Sequence, residues 1–188
     1  MGEIKSTLEI ALEKAKAVEI SSEDRERFKH EAIHSKARDL FQRYTSHGDR
    51  SISLSEAIKK IGKDASLLEE CVIERFLEAL DPYNPSETIW AGLSELGLEN
   101  PNPFRDTLSR LAEENARGRR EAAEDIRKMV RDSLVKEGIS GTAIDPNIEE
   151  NTHWKDISKA LDQEVSAGLD GLRQEVSHAT KRRNSSAR

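Results

Sequence analysis

The pentapeptide His30-Glu31-Ala32-Ile33-His34 has residue types and a spacing that could do chemistry. Residues four apart share one side of a helix, so both imidazoles could hold a single metal ion. Glu31 would then stand ready to take a proton from a metal-bound water. The metal such a pair favours is zinc, and the reaction would be hydrolysis. The surroundings argue against this. Arg27, Lys29, Lys36 and Arg38 crowd the motif, whereas a hydrolytic zinc helix lies beneath a cleft among apolar neighbours. No further histidine follows at the His-x-x-Gly-x-x-His spacing, so a third ligand would have to come from another helix, with Glu69, Glu70 or Glu74 as candidates. The preferred reading is two histidines on a bundle helix and no cofactor. The alternative is a zinc-dependent hydrolase with His30 and His34 as ligands and Glu31 as the catalytic base.

A second constellation runs from Glu113 to Glu121, where Arg117, Arg119 and Arg120 surround Gly118. Asn115 and Arg119 fall inside an apolar stripe otherwise made of small residues, Ala116, Ala122 and Ala123. Small and polar groups in a helical seam allow a second helix to come close and fix its register. The segment thus reads either as a solvated neck with local ion pairs or as a place where a partner docks. Asn115, Arg117, Arg119 and Arg120 are the candidate contacts. Trp154 joins them if exposed, because tryptophan is enriched at interface hot spots.

These residues need elements to position them. From Pro103 to about Lys136, Phe104, Leu108, Leu111, Ala112, Ala116, Ala122, Ala123, Ile126, Met129, Val130 and Leu134 fall on one broad helical face, with Asn102 as the expected cap and Gly138 as the stop. A helix of that length spans roughly 50 Å. A last helix, expected from Thr152 to Thr180, carries Trp154, Ile157, Leu161, Val165, Leu169, Leu172 and Val176 at steps of three or four, a seam of coiled-coil character. Two such helices joined by a short irregular loop fold back as an antiparallel hairpin.

Upstream, five shorter helices are expected. The first covers residues 3 to 20, with Ile4, Leu8, Leu12 and Val18 on one face. The second starts at Ser21 or Ser22 and ends near Ser46 and Gly48. The third opens at Ser53 with Glu56 in capping-box spacing and stops at Gly62. The fourth, from about Asp64 to Leu80, has the densest apolar face, with Leu67, Leu68, Cys71, Val72, Phe76 and Leu77, and is the expected centre of the bundle. The fifth opens at Asn84-Pro85 and ends before Gly97. The expectation is an all-α chain in three parts: a bundle over 1–99, a long coiled-coil-like hairpin over 100–180, and a basic disordered tail over 181–188.

Composition narrows the function classes. Hydrophobic residues make up 35 % and aromatics 4 %, against 35 % charged, so the core must be thin and much of the chain is helix surface. The net charge is −6, and the last eight residues contribute +4, leaving −10 on residues 1–180. An acidic body disfavours a broad nucleic-acid face, although the tail with Arg117, Arg119 and Arg120 provides an alternative of that kind. Cys71, the single cysteine, excludes an internal disulfide and fits a reducing compartment. No stretch approaches a membrane span and no secretory signal is recognisable, so a cytoplasmic, non-membrane protein is expected.

The segments Met1 to Glu9, Leu77-Glu78-Ala79-Leu80-Asp81-Pro82 and Gly138-Ile139-Ser140-Gly141-Thr142-Ala143 resemble an uncharacterised family of small helical bacterial proteins. That resemblance covers most of the chain, implies a bacterial cytoplasmic setting, and brings no activity. Taken together, the sequence favours a non-catalytic helical interaction or scaffold protein. It would work through the hairpin on a protein partner or a second copy of itself.

Overall fold

The computed structural model describes residues 21–46, 53–139, 141 and 147–186, with side chains described as far as Lys181. The helix expected over 3–20, the stop at Gly48 and the tail side chains from Arg182 onward lie outside the described residues. Within them the chain is all-α: α1 (Ser22–Ser46), α2 (Leu54–Lys59), a 3-10 turn (Gly62–Asp64), α3 (Ala65–Glu78), α4 (Glu87–Glu95), α5 (Asn102–Lys136) and α6 (Thr152–Ser186).

Local chemistry sets most of these ends. The Ser21 hydroxyl accepts from the Asp24 amide at 3.0 Å and opens α1. Ser53 accepts from the Glu56 amide to open α2, while its hydroxyl donates to Glu95 Oε1 at 2.9 Å. The cap therefore also ties α2 to the end of α4. Asn151 Oδ1 accepts from the amides of His153 and Trp154 and starts α6. At the other ends, Gly97 and Gly138 take φ of 118° and 80°, and the following residues Leu98 and Ile139 donate back to Leu93 and Leu134. This is the left-handed stop that glycine makes inexpensive.

Two starts differ from the sequence expectation. α4 opens at Ser86 rather than Asn84, because Asp81 Oδ1 accepts from the Tyr83 amide and holds the preceding residues in a separate turn. Asn102 is the first residue of α5 instead of its cap; Pro101 occupies the cap position and Asn100 Oδ1 accepts the Asn102 amide. α6 also runs on to Ser186 rather than ending near Thr180.

α3 is the centre of the bundle, as its density of apolar residues predicts. It buries Leu68, Cys71, Val72, Ile73, Phe76 and Leu77. α1 lies alongside it in the same direction, from the Lys29–Asp64 ion pair to the edge-on contacts of Phe41 and Tyr44 with Phe76. α5 and α6 pack against each other along much of their length in opposite directions: Leu111 meets Gly168, Gly118 meets Leu161, Arg119 meets Asp162 and Ile126 shares a cluster with Trp154.

The base of this pair is built into the bundle. Leu108, Leu172 and Val176 belong to the same hydrophobic cluster as α3 and α4, so the core crosses the boundary expected near residue 100. Arg173 reinforces the joint by donating to the carbonyls of Leu77 and Glu78 at 3.0 and 3.1 Å. Those carbonyls belong to the last turn of α3, where a cation also suits the helix dipole. A second, smaller cluster of Ala123, Ile126 and Ile148, flanked by Val130 and Trp154, lies at the far end of the α5–α6 pair.

Candidate interaction surface

His30 and Glu31 are exposed on α1, and His34 is half-buried with Nε2 4.0 Å from Cys71 Sγ. Lys29 beside them is held by Asp64 at 2.6 Å, a hydrogen-bonded pairing that raises its pKa. The helix thus delivers the two histidines to one side, as the spacing requires, but only His34 turns toward the bundle. Among the described residues, no three His, Cys, Asp or Glu side chains converge as a metal site requires. Cys71 is 4 % exposed, and burial, followed by the negative charges of Glu74 and Glu70, pushes its thiol pKa up. A protonated thiol at neutral pH is a packing group rather than a nucleophile.

The arginine constellation divides into two halves. Arg119 turns inward: its Nε donates to Asn115 Oδ1 at 3.0 Å and its guanidinium reaches Asp162 Oδ1 on α6 at 2.5 Å. Asn115 is 4 % exposed, and its Nδ2 is buried without a hydrogen-bond partner. Arg117, 4.0 Å from Glu121, and Arg120 face solvent. The close helix approach that Gly118 and its small neighbours point to is real, and the approaching helix is α6 of the same chain. A Cβ on Gly118 would stand 2.9 Å from a Leu161 methyl, and one on Gly168 would stand 2.5 Å from a Leu111 methyl. Asn115, Arg119 and Asp162 therefore form a polar layer between the two hydrophobic clusters. Asp162 is the member that sequence reasoning missed. Its signal was weak: a charged residue at the edge of the Leu161–Val165 seam, on a helix full of charges.

Trp154 is half-buried against the far cluster and lines one end of an open groove of about 520 Å³ along α6, bordered by Glu149, Lys155, Ser158, Lys159 and Asp162. A second depression of about 410 Å³, walled by Val165 and Leu169 and by Leu80, Pro82 and Tyr83 of the bundle, shares Asp162 and Ser166 with the first. The two form one continuous channel. Exposed apolar side chains gather on the same half of the molecule. Of six large hydrophobic residues exposed among those described, Met129, Val135, Ile139 and Ile157 belong to α5, α6 or their connection. Among the described residues no helix is long and apolar enough to cross a membrane. Comparison with protein-family models, curated proteins and solved structures gave no match for the chain.

Proposed function

We propose that this is a non-catalytic helical interaction or scaffold protein whose working surface is the α5–α6 hairpin. The observation that carries the reading is the concentration of exposed apolar side chains on this part of the chain, Met129 and Val135 on α5, Ile157 on α6 and Ile139 in their connection. Exposed apolar side chains gathered on an otherwise charged surface mark interaction sites, where covering them is favourable. A lone buried thiol supports a reducing, cytoplasmic setting.

The test is retention of a protein partner from native extract on the immobilised chain, compared with a variant carrying Met129→Lys and Ile157→Lys. Both side chains are exposed, so the variant keeps its helicity. Partner capture falls by about tenfold or more, the consequence of losing apolar contact and adding two desolvated charges. Equal capture by both proteins, or no capture by either, overturns the proposal.

A further inference from the structure

The channel on α6 has a pattern that names its occupant. Of the α6 residues that line it, Trp154 and Gln163 stand at its edges and Lys155, Ser158, Lys159, Asp162, Val165, Ser166 and Leu169 follow one another at steps of three, one, three, three, one and three residues. That is the a, d, e spacing of a heptad seam. It lies beside the face that α6 turns to α5 through Leu161, Gly168 and Leu172. α6 therefore carries two seams, one filled by α5 and one open.

Along α6 itself the charges of the open seam are segregated, while Glu149 borders its start and Glu150 lies 3.5 Å from Lys155. Lys155 and Lys159 stand toward the start of the helix. Asp162 follows, and Glu78 and Asp81 line the channel beyond it. Two copies laid parallel would set lysine on lysine and aspartate on aspartate. Laid antiparallel about a two-fold axis between Ser158 and Lys159, they set Lys155 of each chain opposite Asp162 of the other. An isologous contact of this kind is self-complementary by construction. Asp162 can serve both neighbours, since Arg119 engages one of its oxygens, Oδ1.

We infer that a second copy of this chain docks antiparallel in this channel, α6 against α6, with reciprocal Lys155–Asp162 pairs fixing the register. The inference rests on the reading of the hairpin as the working surface and names one occupant for it. The seam is polar through its middle, so the dimer is a weak one that forms at micromolar to submillimolar concentration.

Sedimentation equilibrium of the full chain over that range shows a monomer–dimer equilibrium. Lys155→Asp weakens it about tenfold or more by placing like charges together, and combining Lys155→Asp with Asp162→Lys recovers most of the loss. A second readout avoids disturbing Arg119. Under mild oxidation, Lys159→Cys, exposed beside the axis, forms an interchain disulfide, whereas Ala167→Cys, exposed on the opposite face, stays reduced. A chain that is monomeric throughout, a dimer indifferent to Lys155→Asp, or equal cross-linking at 159 and 167 overturns the pairing. A monomer that still retains a different protein through Met129 and Ile157 overturns this inference while leaving the proposed function standing.

Discussion

What a new methyl group meets decides the cost of the same substitution at two glycines. A Cβ on Gly92 would run into the ring of Phe76, which is fully buried and held edge-on by Phe41 and Tyr44. The ring has nowhere to go, so Gly92→Ala is expected to destabilise the protein by about 1–3 kcal/mol despite better helix propensity. At Gly168 the obstacle is the free end of the half-buried Leu111 side chain, which can swing aside, and alanine gains up to ~1 kcal/mol of propensity. Gly168→Ala is therefore close to neutral, and urea denaturation of the two variants separates the cases. Asn115 argues in the other direction. Its unpartnered Nδ2 carries a desolvation cost of about 1–3 kcal/mol, so Asn115→Leu, which keeps the branching at Cγ, is expected to raise the urea midpoint. A lowered midpoint would show that the bond to Arg119 outweighs the orphaned donor. The raised pKa of Cys71 has a sign that can be followed. The unfolded thiol ionises first, so its contribution is intact below the ordinary thiol pKa and is lost as pH rises from there through the folded value. Native stability should fall over that alkaline window in the natural chain and fall less in Cys71→Ala.

Among the elements, Arg173 is where a single side chain joins two helices, because its guanidinium donates to two carbonyls in the last turn of α3. Arg173→Lys keeps the charge but loses the two-pronged geometry, and should cost about 1–2 kcal/mol, with Arg173→Ala costing more; equal stability of both variants with the natural protein would remove the role. The helices themselves were largely legible in the sequence, because caps and stops are local chemistry. Gly62, Gly97 and Gly138 act through atoms within a few residues of themselves, and Ser53 caps α2 through the Glu56 amide in the same way, while its bond to Glu95 depends on packing. Asn84-Pro85 has the form of a helix start but does not open α4, because the Asp81 carboxylate accepts from the Tyr83 amide and holds the chain there in a turn of its own. Arg119 shows the deeper limit. A stripe on one helix announces that some helix comes close at Gly118, yet nothing in the stripe says whether it belongs to the same chain or another. The His30–His34 spacing has the same character: it fixed the side of α1 that the histidines share, while the contact with Cys71 on α3 depended on packing between elements.

At the scale of the whole molecule, the two hydrophobic clusters predict an uneven distribution of stability. The larger one unites α1, α2, α3 and α4 with the base of the α5–α6 pair through Leu108, Leu172 and Val176, whereas the smaller one at the far end buries, among the described residues, Ala123, Ile126 and Ile148. Between them lies the Asn115–Arg119–Asp162 layer, polar and imperfectly satisfied, which transmits little apolar cohesion from one cluster to the other. The far end of the hairpin should therefore open on its own, at a lower free energy than α3. Native-state hydrogen exchange read by mass spectrometry tests this. Peptides spanning 123–136 and 152–160 should exchange well before those of α3 and before 165–180 of α6. Leu68→Ala, in the large cluster, should lower the protection of every slow peptide together by about 2–5 kcal/mol. Ile126→Ala should lower protection at the far end and leave α3 unchanged. If Ile126→Ala instead lowers both alike, the polar layer does not divide the molecule and the hairpin unfolds only with the bundle. An end that opens independently can also adapt to whatever covers Met129, Val135 and Ile157, without cost to the core that holds its base.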